Sequence, residues 1–144
     1  MTTGIILTGH GRFAQGLASA VELIAGKQEH FICVDFEHEL DELEHDMEQA
    51  INALSDCEDI IVFADLAGGS PFKTAGMFAY KDHRIDVIAG ANLPMICETV
   101  LSRAYITEGC ALTMKAVKVG SMQIMRLDMK ELLNQSEPEH DEGI

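Results

Sequence analysis

At 144 residues with 47% hydrophobic residues, the chain has enough apolar material for one domain with a real core, and too little length for two ordinary ones. Its formal net charge of −14 argues against nucleic acid or an anionic membrane as partner, because the long-range field repels phosphates; a basic protein partner fits. Solubility of a cytosolic protein accounts most simply for this acidity.

The N-terminus, Met1-Thr2-Thr3-Gly4, has no basic leader, and no apolar stretch is long enough to span a bilayer, so the expected location is the cytoplasm. Cys33, Cys57, Cys97 and Cys110 include no CxxC pair and are expected as reduced thiols, with Cys33 and Cys97 in apolar surroundings.

Taken in order, the first apolar run predicts a strand over 3–8 that ends in the loop Gly9-His10-Gly11-Arg12. Phe13, Leu17, Val21 and Ile24 recur at helical spacing, and Gly26 follows where a glycine would stop that helix. A second strand is predicted over 31–36. From 38 to 54, Leu40, Leu43, Met47, Ala50, Ile51 and Leu54 form an apolar stripe, and acidic residues fill the opposite, solvated face. A third strand over 59–65 ends in Asp65 and is followed by Leu66-Ala67-Gly68-Gly69-Ser70-Pro71, where Pro71 opens a helix and Ser70 is its expected N-cap. Further on come a strand over 84–89, a helix from near Pro94, a helix over 110–119 and a short strand over 122–127. The acidic stretch 134–144 reads as a disordered tail, leaving 1–133 as the folded domain.

Strands alternating with amphipathic helices imply a three-layer α/β/α fold around a mainly parallel, doubly wound sheet. In such sheets a ligand site lies beyond the carboxyl ends of the strands. With strand order 2-1-3-4, His10 and Asp65 face each other across that crevice, and the loops 9–12, 66–70 and 90–93 gather there. Helix starts behind these loops would aim N–H groups at an anion, with Gly9, Gly11, Gly68, Gly69 and Ser70 forming the anion-binding loops.

The segments GIILTGHGRFAQG (4–16), IIVFADLAGGSPF (60–72) and VIAGANLPMICET (87–99) resemble the enzyme IIA component of the mannose-type phosphoenolpyruvate-dependent sugar phosphotransferase system. The ICVDF segment, the CEDIIVF lead into strand three and the final EGI are closer to its N-acetylgalactosamine or galactosamine branch. The resemblance implies a phosphotransferase component without a cofactor. Its histidine, His10 by motif match, takes a phosphoryl group on Nε2 from the phosphocarrier protein HPr. It passes that group to an enzyme IIB, which phosphorylates sugar entering through a membrane IIC/IID permease. Asp65 matches the family's partner aspartate and Ser70 its loop hydroxyl. The resemblance also implies a homodimer that exchanges a C-terminal strand, for which 122–127 is the candidate.

The chemistry is coherent without the family. A carboxylate that accepts a hydrogen bond from one ring nitrogen fixes the histidine tautomer, so the other nitrogen presents its lone pair. The motif loops hold no lysine and only Arg12 beside His10, which suits a group that must be released again.

Two rival readings share residues with this one. Gly9-His10-Gly11-Arg12-Phe13-Ala14 satisfies the G-x-G-x-x-A pattern of a dinucleotide-binding module, with Asp35 as its ribose-binding acid, but DLAGGSP has no task in that scheme. A histidine phosphatase would surround its phosphate with arginines and typically carry RHG, where this chain has TGHGR. The remaining histidines, 30, 38, 45, 83 and 140, read as structural or solvated. His38, Glu42 and His45 share a helical face, but an acidic solvated helix produces that spacing by chance, and no metal site is read from it.

Overall fold

Ile5 and Leu7 point to one side of strand β1 (Thr3–His10) and Ile6 to the other, and all three are fully buried. Only a central strand with both faces covered requires apolar residues at consecutive positions. The computed structural model describes residues 2–135. In it, β1 lies between β2 (Phe31–Phe36) and β3 (Asp59–Ala64), and β4 (Ile85–Ile88) extends the sheet beyond β3. Every pairing is parallel and the order is β2-β1-β3-β4, as the alternation of elements predicts.

Period-two alternation sorts the helices between the two faces. Ile5, Leu7, Ile61, Phe63 and Ile88 pack under helices α1 (Phe13–Ala25), α4 (Leu93–Ser102) and α5 (Gly109–Met122), which contribute Ala14, Val21, Met95, Ile96, Val100, Leu112 and Ala116. Ile6, Val34, Ile60, Val62 and Ile85 pack under α2 (Leu40–Ala53) and α3 (Ser70–Lys81) through Leu43, Met47, Ala50, Ile51 and Ala75. The acidic side of α2 is its outer side, and Leu40, first in the predicted stripe, lies half exposed at the helix start.

Several boundaries differ from the sequence reading. β1 runs two residues further than predicted, because His10 pairs with Phe36 and the Gly11 N–H donates to the Phe36 carbonyl at 2.7 Å. The expected strand over 122–127 does not form. Met122 closes α5, and Gln123–Asp128 joins no ladder among the described residues, so Ile124, Met125 and Leu127 stand exposed. An extended segment gains ladder hydrogen bonds only beside a neighbouring strand, and this one pairs with neither edge strand of the sheet, β2 or β4. A further short helix follows, α6 (Met129–Asn134), capped by the Asp128 side chain, which accepts from the N–H groups of Lys130 and Glu131. Of the predicted tail, Asn134 closes this helix, and 136–144 lie outside the described residues.

At the amino end of the sheet, Arg103 reaches back from the end of α4. Its guanidinium donates to the carbonyls of Thr3, Glu29 and His30 and to Gln28 Oε1, stapling the starts of β1 and β2 to α4. All four cysteines are free; Cys57 is buried, Cys33 and Cys97 are half-buried, and Cys110 is exposed. No helix among the described residues is long and apolar enough to cross a membrane.

Candidate functional site

His10 stands at the carboxyl end of the central strand, flanked by Phe36 at the end of β2 and by Asp65, the first residue past β3. The parallel register makes this convergence unavoidable: Thr8 pairs with Ala64, so Asp65 emerges one step beyond, and its N–H donates to the Thr8 carbonyl. From there its carboxylate reaches across to His10. Oδ2 accepts from the His10 backbone N–H at 2.9 Å and lies 2.8 Å from His10 Nδ1, while Oδ1 accepts from the Leu66 N–H at 2.9 Å.

The ring is thereby oriented. With Nδ1 carrying the proton for Asp65, Nε2 holds a lone pair and has no hydrogen-bond partner among the described residues. The His10 side chain is 46% exposed and that of Asp65 only 11%, so the imidazole faces outward from a sheltered acid. Burial acts to raise the Asp65 pKa. It is outweighed by the hydrogen bonds from the His10 N–H, the His10 ring and the Leu66 N–H, with the charge of His10 adding to them, and the carboxyl is held below its usual range. Asp65 is therefore ionised at neutral pH.

Two further contacts shape the ring's surroundings. Phe36 meets the imidazole edge to face, with centroids 5.7 Å apart and planes at 65°. Gly69 approaches so closely that a Cβ there would lie 2.7 Å from His10 Cε1. A Gly69→Ala chain is accordingly expected to fold while displacing the imidazole, and to slow any reaction at Nε2 by roughly tenfold or more, since small misplacements of a reacting atom are costly; stopped kinetics with the wild-type chain as reference check this.

The glycines and Ser70 take separate parts. Gly11, with φ +56°, makes the left-handed turn that leads from β1 into α1, and Gly9 leaves room for Asp65 and Phe13. Gly68 lies in the turn after Asp65. Ser70 is not the N-cap of α3. The first helical bond runs from the Lys73 N–H to the Gly69 carbonyl, which makes Gly69 the cap and Ser70 the first helical residue. Its hydroxyl, half-buried and with no hydrogen-bond partner among the described residues, follows directly on the glycine that touches His10. The N–H groups of Ser70 and Phe72 have no intrahelical acceptor, and Pro71 has no N–H to waste.

Other candidates fall outside. In the 90–93 loop, Ala91 donates its N–H to the Ala64 carbonyl, but the Asn92 side chain caps α4 and donates to the Gly120 carbonyl. Arg12 lies 3.8 Å from Glu37 with both side chains exposed, a weak surface pair rather than a clamp over His10. Asp35, the ribose-binding acid of the dinucleotide reading, has its Oδ2 taken by Gln15 Nε2 at 2.6 Å. His38, Glu42 and His45 do not gather at metal-ligand separation.

Sequence reasoning missed Phe36 and the Leu66 N–H. The first was within reach: strand order 2-1-3 with a parallel register puts the last residue of β2 beside His10.

Comparison with known proteins shows the family. The EIIA-man family model, described as the PTS system fructose IIA component, matches residues 4–116. The chain belongs to this family. It is a mannose-type enzyme IIA component of the sugar phosphotransferase system. The fructose-specific EIIA component of Bacillus subtilis is 28% identical over 123 residues, covering 83% of this chain and 84% of that one. The crystal structure of the EIIA component from Streptococcus agalactiae superposes with a TM-score of 0.80 at 29% identity, over 90% of this chain and 98% of the other. The mannose/sorbose-specific IIA subunit from Enterococcus faecalis gives 0.81 at 25%, over 89% and 96%. All three motif segments of this IIA component, including the two that carry His10 and Asp65, lie wholly inside the matched span.

Proposed function

We propose that this enzyme IIA carries a phosphoryl group on His10 Nε2, taking it from phospho-HPr and giving it to the cognate enzyme IIB in the cytoplasm. The observation that supports this most directly is the 2.8 Å contact between His10 Nδ1 and Asp65 Oδ2, with Nε2 left open. As Nε2 attacks, a nitrogen–phosphorus bond forms while the bond from phosphorus to the donor breaks, and the ring becomes cationic. Asp65 keeps the Nδ1 proton and stabilises that charge through a hydrogen bond worth about 1.5–3 kcal/mol. The free N–H groups at the start of α3 face a developing anion with about 0.3–1 kcal/mol each, and Ser70 Oγ is the nearby hydroxyl. This is enough to hold the group and too little to trap it, and Arg12 supplies no clamp.

The membrane IIC/IID permease is an indirect partner. The sugar is proposed to be N-acetylgalactosamine or galactosamine, on the ICVDF, CEDIIVF and EGI segments, with mannose, fructose, sorbose and gluconate as the alternatives. The proposed homodimer would exchange a C-terminal strand, with segment 122–127 of one subunit crossing to the other and covering Ile124, Met125 and Leu127.

Incubation with phosphoenolpyruvate, enzyme I and HPr tests the carrier role. Intact mass is expected to rise by one acid-labile phosphoryl group per chain and to return when enzyme IIB is added, faster with an amino-sugar IIB than with a mannose IIB. An unlabelled chain would overturn it. Sedimentation at micromolar concentration is expected to give a dimer.

A further inference from the structure

At the end of the sheet away from His10, three unlike side chains converge. His30, just before β2, places Nε2 3.1 Å from Oδ2 of Asp56, and the sulfur of Cys57, just before β3, lies within 4.8 Å of a ligand atom of each. An eight-residue strand separates this cluster from His10, about 20 Å away along the sheet. The carrier chemistry makes no use of it.

The backbone under His30 and Cys57 is fixed. His30 is the one non-glycine among the described residues with a left-handed φ, +51°, which side chains normally avoid. Its carbonyl is held there by the Ile5 N–H at 2.9 Å and Arg103 Nη1 at 3.2 Å. Cys57 donates its N–H to the Leu54 carbonyl at 3.0 Å and accepts from Arg84 Nη1 at 3.2 Å. Behind its sulfur there is no space: a Cβ on Gly4 would lie 3.2 Å away. In front, the His30 side chain is 30% exposed and that of Asp56 69%, leaving an open approach from solvent.

We propose that His30 Nε2, Asp56 Oδ2 and Cys57 Sγ form a zinc-type binding site, with water as the fourth ligand, that ties the α1–β2 connection to the α2–β3 connection. Bond lengths of about 2.3 Å to sulfur and 2.0–2.2 Å to nitrogen and oxygen put tetrahedral ligands about 3.4–3.6 Å apart. The nitrogen–oxygen separation is already within a few tenths of that, and the sulfur closes by about an ångström at most, a side-chain rotation. A thiolate, an imidazole and a carboxylate are a soft-to-borderline set that selects zinc or cobalt over magnesium or calcium. Thiolate and carboxylate together neutralise a divalent ion. Burial raises the Cys57 pKa, with Asp56 adding to it, so the thiol is protonated until a metal arrives, while Arg103 and Arg84 lower the cost of ionising it. Binding therefore releases the thiol proton to solvent, and His30 coordinates through Nε2 with its ring proton on Nδ1.

Cobalt(II) titration of the full chain, first stripped with a chelator, tests the site. One equivalent is expected to bring up a thiolate-to-cobalt charge-transfer band and intense tetrahedral visible bands, both bleached by zinc, with release of about one proton per metal. Cys57→Ala is expected to abolish the charge-transfer band. His30→Asn, which tolerates the left-handed backbone and is therefore safe for folding, is expected to weaken binding at least tenfold. Cys110→Ser and His10→Ala are expected to bind as the wild type does. A missing charge-transfer band in the wild-type chain, its persistence in Cys57→Ala, or unchanged affinity in His30→Asn would each overturn the proposal.

Discussion

A His10→Ala chain is expected to take up no phosphoryl group under conditions that label the wild-type chain fully. No other described histidine combines an acid on one ring nitrogen with an open second nitrogen at the carboxyl end of the sheet. His30 is engaged with Asp56 at the opposite end, His38 and His45 ride the acidic α2 region, and His83 precedes β4. The fold should persist, because Asp65 keeps its bonds to the backbone N–H groups of residue 10 and Leu66. The cost of losing the ring contact is of the order of one net hydrogen bond, about 1 kcal/mol. Intact mass for labelling and circular dichroism for folding separate the two effects, and acid-labile labelling of this chain would falsify the carrier assignment to His10.

Asp65→Asn should be folded yet impaired, with transfer slowed by about 10–100-fold, the usual range for removing the group that orients a reactive histidine. The reason lies in the acceptors. Oδ2 serves two N–H donors of His10 and Oδ1 serves Leu66, so whichever way an amide is turned, its NH2 faces a donor. One protein N–H is left unsatisfied, at about 1–3 kcal/mol, and the cationic ring loses its counter-charge. The acidity of Asp65 gives this a pH signature. Its folded pKa lies below the unfolded value, so the stabilisation is fully present above the ordinary carboxylate range. As pH falls through the lowered value the carboxylate takes up its proton and the stabilisation is lost. The stability gap between wild type and Asp65→Asn, followed by chemical denaturation, should therefore be widest at neutral pH and narrow only in strong acid. A gap that grows on acidification would contradict the pairing.

Much of this arrangement could be read from residues alone, for identifiable reasons. The runs Ile5-Ile6-Leu7 and Ile60-Ile61-Val62-Phe63 are continuously apolar and mostly β-branched, which only a doubly covered strand tolerates, and the helices between them leave a parallel sheet as the sole connection. Once β1 and β3 are neighbours, the meeting of His10 with Asp65 follows from register. What escaped notice depends on partners that periodicity does not encode. Ser70 has the composition of a cap, but the turn from Gly68 brings the Gly69 carbonyl into the capping role. Met122–Leu127 has the composition of a strand, but it pairs with neither edge strand of the sheet, β2 or β4. The convergence of His30, Asp56 and Cys57 joins two connections 26 residues apart, a separation at which no local pattern operates.

One carboxylate oxygen holds both the main chain and the ring of His10, so this imidazole has a single presentation and one open nitrogen. Under the proposed carrier role, donor and acceptor then call at the same doorway, in turn and never together. For a carrier, this means a ping-pong relay: the incoming protein has to depart before the outgoing one can dock, and an excess of unphosphorylated donor should act as a competitive inhibitor of the onward step.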